Sequence, residues 1–263
     1  MSRDPVGRAI VESGHLDPAS VPVVSAAGVL AWRDRSSGSR RSRIPVRLLL
    51  ALDASIASEI RRRRGVGDAI GPAGRFMVVT SRSGEPIGLL VPPGVGGPAL
   101  AVATEEAAAL GAREIVSIGL AGALAATATP GSILLLDAAL PGDGTSRAYG
   151  AGHGPVAPDA DLSSEVGECL RRAGLDYDRA TSWTTDAVYR ETPTLIHEAV
   201  SRGASVVEME AAALFAVSGA LGIHAAALVV VADDVSDLTW RPPRDLAECR
   251  RTMHAVVAAL LVP

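Results

Sequence analysis

Hydrophobic and polar positions follow two alternating periods along the chain. Short β-branched or leucine-rich runs at 48–52, 76–80, 86–91, 114–119, 132–136 and 228–231 read as strands, several of them apolar on both faces as in a covered parallel sheet. Between them, 54–64, 99–110, 162–173 and 211–221 read as helices; Gly111 and Gly222 stop two of these, and Thr192 with Pro193 opens another. The tail, 244–261, places Leu246, Cys249, Met253, Val256, Val257 and Leu260 at helical spacing. Polar turn residues at 81–85 make 76–91 a hairpin. Three stretches break the rhythm: 8–12 with 25–32, a short strand and helix; 33–43, an arginine-rich loop read as mobile; and 137–154, a long glycine-rich loop.

Strands alternating with helices across short connections predict an α/β fold, a three-layer α/β/α sandwich around a central mixed, mostly parallel sheet. One domain over 45–263 is expected, preceded by an extension over 1–44.

Carboxylates interrupt the apolar pattern at two strand ends. Glu208 and Glu210 stand just before the helix at 211–221, and Asp233 and Asp234 end the strand that follows it. The carboxyl ends of parallel strands open on crevices where ligands bind. The competing reading is a pair of carboxylates offsetting a helix dipole and, separately, a polar turn.

Composition narrows the chemistry. Hydrophobic residues make up 48% of the chain but aromatics only 3%, so Ala, Val and Leu must do the packing. The net charge of −4 argues against a nucleic-acid surface. No apolar run suggests a membrane span or a secretion signal, so a cytoplasmic protein is expected, with Cys169 and Cys249 as reduced thiols and no metal site. All 25 basic residues are arginine, and Lys, Asn and Gln are absent, so no side-chain amide exists to read a nucleobase edge. The glycine turn at 94–98, with Gly96 and Gly97, has the form of an anion-binding turn but not the spacing of a dinucleotide fingerprint or P-loop. The glycines at 119 and 122 serve either a sharp turn or close ligand approach, and Arg61 to Arg64 either complement a helix dipole or bind phosphate.

Taken in order, several motifs resemble the nucleoside phosphorylase I superfamily, which holds uridine and bacterial purine nucleoside phosphorylases and related nucleosidases. They are GVGGP at 94–98 with TEE at 104–106 and LGA at 110–112, IGLAG at 118–122, DGTS at 143–146, Thr185 and Asp186 through Tyr189, VEME at 207–210, and VAD at 231–233. The resemblance covers roughly 45–260 and implies an enzyme that cleaves the N-glycosidic bond of a nucleoside, by phosphorolysis as the family default. It places Met209 and Glu210 on the ribose with Glu208 alongside, and Asp233 as the acid that protonates the departing base, with Asp234 as the fallback. Trp183, Asp186, Val188, Tyr189 and Arg190 become base-side candidates; Gly96, Gly97, Gly119, Leu120, Ala121 and Arg147 lie on the backbone and anion side. The resemblance further implies a small-molecule nucleoside as partner, no cofactor beyond inorganic phosphate as co-substrate, and a homo-oligomer, a trimer or hexamer built from dimers.

The anion half departs from the family pattern. Where the family carries a Gly-Asp-Pro-x-Arg loop, only Asp53 matches; Ser117 stands where an arginine is expected, and Leu120 where a hydroxyl follows the glycine. Three readings follow: phosphate held by Arg61 to Arg64, Arg147 or Arg190; water as nucleophile; or a silent nucleoside-binding protein.

Overall fold

The computed structural model describes residues 22–38 and 44–261, apart from Gly65, Ile70 and Arg82. The expected element at 8–12 and residues 39–43 of the arginine-rich loop lie outside the described residues.

Helix α1 (Ala26–Ser37) starts at Ser25, whose hydroxyl accepts from the Gly28 amide, and carries 33–37 within it rather than in the expected loop. Arg33 explains the extension, since its guanidinium reaches the buried Glu106 at 2.7 Å. The chain continues through β1 (Arg47–Ala51), α2 (Ala54–Arg64), β2 (Arg75–Thr80), β3 (Pro86–Val91), α3 (Gly96–Ala109), β4 (Glu114–Ala123) and β5 (Ile133–Gly142). After it come α4 (Gly144–Ala148), α5 (Ala160–Arg172), β6 (Asp178–Thr185), α6 (Pro193–Ser201), β7 (Ala204–Glu208), α7 (Ala211–Leu221), β8 (His224–Asp234) and α8 (Leu246–Leu260).

The stretch 137–154 is also more ordered than its composition suggests. β5 continues through Gly142, paired in parallel with β6, and Asp143 caps α4 by accepting from the Ser146 amide at 2.6 Å. Glycines permitted that geometry without announcing it: a Cβ at Gly142 would lie 2.3 Å from the Trp183 indole nitrogen.

The eight strands run β2-β3-β1-β4-β7-β6-β5-β8, with a further pairing of β4 to β8. Five neighbour pairs are parallel and three, β2 with β3, β4 with β7 and β5 with β8, are antiparallel, giving the mixed, mostly parallel sheet. Because β4 pairs with both β7 and β8, that half of the sheet closes into a ring, which no local pattern announces. Alternate side chains face opposite layers. Leu49, Val116, Leu228 and Val230 meet Ile56 and Ile60 of α2, Val166 and Leu170 of α5, and Met253 and Val256 of α8. On the other face Leu48, Leu50, Val206, Val229 and Val231 meet Leu100 and Ala103 of α3 and residues 211–215 of α7. Alanine dominates this second layer because α3 and α7 pack closely over the sheet. Cys169 and Cys249 are free thiols buried in the first layer.

Candidate functional site at the ends of β4, β7 and β8

The register gathers the carboxylates. At its carboxyl end β4 lies between β7 and β8, with Gly122 opposite both Val207 and Asp233. A Cβ on Gly122 would meet an Asp233 carboxylate oxygen and Val207 Cγ1, each at 3.3 Å, so glycine lets Asp233 lie across β4. Glu210 stands just past β7, as the N-cap of α7.

Glu208 is fully committed to the protein. One oxygen accepts from Ser182 at 3.1 Å and from the Thr184 hydroxyl; the other accepts from the amides of Glu210 and Ala211 at 2.7 and 2.6 Å. It closes the first turn of α7, work that a cap hydroxyl usually does. Thr184 passes the network on by accepting from the Ala212 amide at 2.9 Å. Burial, and then the neighbouring Glu210, push the Glu208 carboxyl up to about 7 against these hydrogen bonds.

Glu210 is held differently. The Gly96 amide donates to Oε1 at 2.6 Å, tying the residue to the N-terminus of α3. Gly96 has φ +82°, which aims that amide and explains the residue; Met209 Cε lies 3.8 Å from the position of a Cβ there. Burial raises the Glu210 carboxyl, offset by the Gly96 and Met209 amides. Gly97 lets α3 approach α4 and α7, since its Cβ would sit 2.9 Å from Thr145 and 3.2 Å from Ala213.

The two aspartates that end β8 separate by partner. Asp233 follows a register shift that sets it opposite Gly122, and its Oδ2 accepts from Trp240 Nε1 at 2.8 Å. Asp234 takes the Ser236 amide at 2.7 Å and the Arg241 guanidinium at 3.1 Å; burial raises its carboxyl, but these donors bring it below the usual carboxylate range. Glu191, half-buried, lies close enough to Asp233 that burial first and the Asp233 charge second push it up to about 7.

The base-side candidates do not assemble as one cluster. Trp183 is buried with Leu140, Ile196, Val207 and Val235. Asp186 accepts from the Gly144 amide at 2.8 Å instead of pairing with Arg190. Val188, Tyr189 and Arg190 are exposed in a single 3₁₀ turn, Tyr189 at 96%. On the anion side, Gly119 serves packing: its absent Cβ would lie 2.9 Å from Leu52 Cδ1. Leu120 leans on the first layer and Ala121 is buried in the second, while Arg147 is exposed on α4. Asp53 is taken by the Ser55 amide at 2.7 Å and Arg250 at 2.9 Å. The arginines ending α2 are engaged elsewhere, Arg61 with Asp68, Arg62 and Arg63 with Glu59, and Arg64 with the Thr80 carbonyl.

A model of the phosphorylase superfamily matches residues 53–262. The chain belongs to this superfamily. Guanosine phosphorylase of Halorubrum lacusprofundi is 28% identical over 138 residues, covering 52% of this chain and 57% of that protein. Uridine phosphorylase of Thermococcus kodakarensis is 29% identical over 151 residues, 52% of this chain and 54% of that protein. The chain thus spans about half the length of these curated relatives. Purine nucleoside phosphorylase of Toxoplasma gondii, solved in complex with immucillin-H, superposes with a TM-score of 0.74 at 19% identity, over 85% of this chain and 93% of that one. AMP nucleosidase of Bacteroides thetaiotaomicron gives 0.71 at 21% identity, over 90% and 96%. Both structures share the fold of this superfamily member.

Glu191 and Trp240 are the neighbours of Asp233 that sequence reasoning did not single out for it. Glu191 was visible only as the end of a polar stretch. Trp240 follows the two aspartates at a distance with no helical or strand period, so only loop closure brings its indole back. Among the described residues no group of three His, Cys, Asp or Glu side chains is placed to hold a metal ion, and no helix is long and apolar enough to cross a membrane.

Proposed function

We propose that this chain cleaves the N-glycosidic bond of a nucleoside or related ribosyl compound, with Glu210 on the ribose hydroxyls, Met209 against the sugar, and Asp233 as the acid for the departing base. The observation that carries the reading is the buried Glu210 carboxylate, fixed through one oxygen by the Gly96 amide at the strand ends where Asp233 also lies. A carboxylate accepts two hydroxyl donors by charge-assisted bonds, and its charge stabilises the ribosyl ring as that ring becomes oxocarbenium-like. Protonation of the base by a carboxylic acid makes it a tolerable leaving group. In this reading Glu208 positions Glu210 by capping α7 rather than touching the sugar.

Phosphorolysis, with inorganic phosphate as co-substrate, is the leading form of this reading because the family model is of phosphorylases and guanosine and uridine phosphorylases are among its relatives. A second reading, hydrolysis, is favoured by one specific feature: Leu52 lies over Gly119 and Asp53 is paired with Arg250, where the resemblance puts phosphate. A dianion without cations or donors is not held in a buried site. The proposed setting is a cytoplasmic homo-oligomer assembled from dimers. Chromatography of a nucleoside panel with and without phosphate separates the alternatives. Release that needs phosphate supports phosphorolysis, release without it supports hydrolysis, and binding without release refutes cleavage.

A further inference from the structure

The loop after β8 is tied down at both ends and presents one large side chain. Asp234 and Arg241 form an antiparallel bridge, each amide donating to the other's carbonyl at 3.1 and 2.8 Å. The Arg241 guanidinium adds Asp234 and Asp237, and Asp237 accepts from the Thr239 amide at 3.1 Å. Leu238, at φ +64°, is the sole non-glycine residue of positive φ among the described residues, and it turns the chain just before Trp240. Side chains rarely adopt that conformation unless the surroundings over-determine it.

Trp240 is 65% exposed and belongs to none of the three apolar clusters, yet its indole is not free to swing. An indole has one donor and no acceptor, and that donor is on Asp233 at 2.8 Å. The N–H is thereby fixed at the proposed leaving-group acid, while the ring remains open to contact. The chain has no Asn or Gln, so a base cannot be recognised here by side-chain amides on its edge. A flat π surface, by contrast, recognises any base by its face, and the attraction grows with overlap.

We propose that Trp240 is the base-stacking wall of the pocket, held upright by its bond to Asp233, and that the site therefore selects bases by ring area, taking purine ribosyl compounds over pyrimidine ones. The proposal rests on the N-glycosidic reading for the location of the sugar. Trp240 is a specificity residue in this scheme; the proton for the leaving base still comes from Asp233.

The test uses uncleavable C-nucleosides, 9-deazainosine for the purine class and pseudouridine for the pyrimidine class, titrated calorimetrically into the wild type, W240F and W240A. The wild type is expected to bind 9-deazainosine about tenfold or more tighter than pseudouridine. W240F, which keeps a ring, should stay within about threefold of wild type for 9-deazainosine, whereas W240A should lose about tenfold or more, with a smaller loss for pseudouridine. Unchanged affinity in W240A, or a loss in W240F as large as that in W240A, overturns the stacking wall. Turnover of inosine by the wild type is measured beside the titrations. Turnover with W240A affinity unchanged sinks the wall alone; Trp240-dependent binding without turnover upholds the wall and sinks the cleavage reading.

Discussion

At the end of β7 the chain buries two carboxylates and surrounds them with donors, Ser182, Thr184 and the amides of Gly96, Glu210 and Ala211. At the ends of β1 and β4, a short way along the same sheet, it places Leu52 over Gly119 and ties Asp53 to Arg250. Burying a carboxylate is costly unless donors replace its water, so the first arrangement persists only as a complete network. Apolar contact needs no such completeness. The sheet thus has one strand end whose polar atoms depend on one another and another built as ordinary core, and a substitution should be felt very differently at the two.

The largest effect is expected at the proposed acid. Asp233→Ala should lower kcat about 10²- to 10⁴-fold, while Asp234→Ala, whose carboxylate is taken by Ser236 and Arg241, should leave kcat within about tenfold; equal losses in steady-state assays would undo the separation of the two aspartates. Glu210→Ala should cost about 10²- to 10³-fold in kcat/KM, against less than about twofold when Arg61 to Arg64 are all replaced by Ala, since those side chains are bound at the surface. A comparable loss in the arginine variant would show that the anion end is supplied from α2 after all.

Glu208→Ala tests the network by stability. It leaves two amides and two hydroxyls without their acceptor, and urea unfolding should show a loss of about 3 kcal/mol or more. Gly97→Ala, which forces a methyl against Thr145 and Ala213, should cost about 1–3 kcal/mol, and a neutral result would mean that α3 and α4 yield readily.

The smallest predicted effect is a slope with pH. Burial and then the Asp233 charge push the Glu191 carboxyl up to about 7 from the ordinary glutamate value of 4.5, so between these values the native state binds more protons than the unfolded one. Stability contributed by the protonated group is therefore complete below the unfolded value and falls as pH rises towards 7, levelling above it. Glu208 slopes in the same sense. Urea midpoints across pH 4–8 should flatten in Glu191→Gln relative to wild type; an unchanged slope would show that neither burial nor Asp233 holds the Glu191 carboxyl up.

Much of the fold is local in origin. The covered strand at 228–231, the helix closed by Gly222 and the carboxylates flanking them declare themselves because period, cap and charge act over a few residues. The site reads less completely. The motif at 207–210 marks an acidic strand end but does not say that Glu208 caps α7 while Glu210 is anchored to a different helix, because Ser182, Thr184 and Gly96 are remote in sequence. Trp183 and Trp240 show the same limit in opposite senses: the first, in a polar stretch, packs into a core, and the second, in a loop, meets Asp233.

The sequence by itself determined the strand and helix periods, the lack of side-chain amides, the poverty of cations where phosphate is expected, and the carboxylates at two strand ends. The tertiary structure alone decided that β4 pairs with both β7 and β8, that Gly122 admits Asp233, and that Leu52 covers Gly119. The physical reason is range: propensity and capping act over a turn or two of chain, whereas the state of a buried carboxylate depends on which distant donors and charges the fold brings within hydrogen-bond reach.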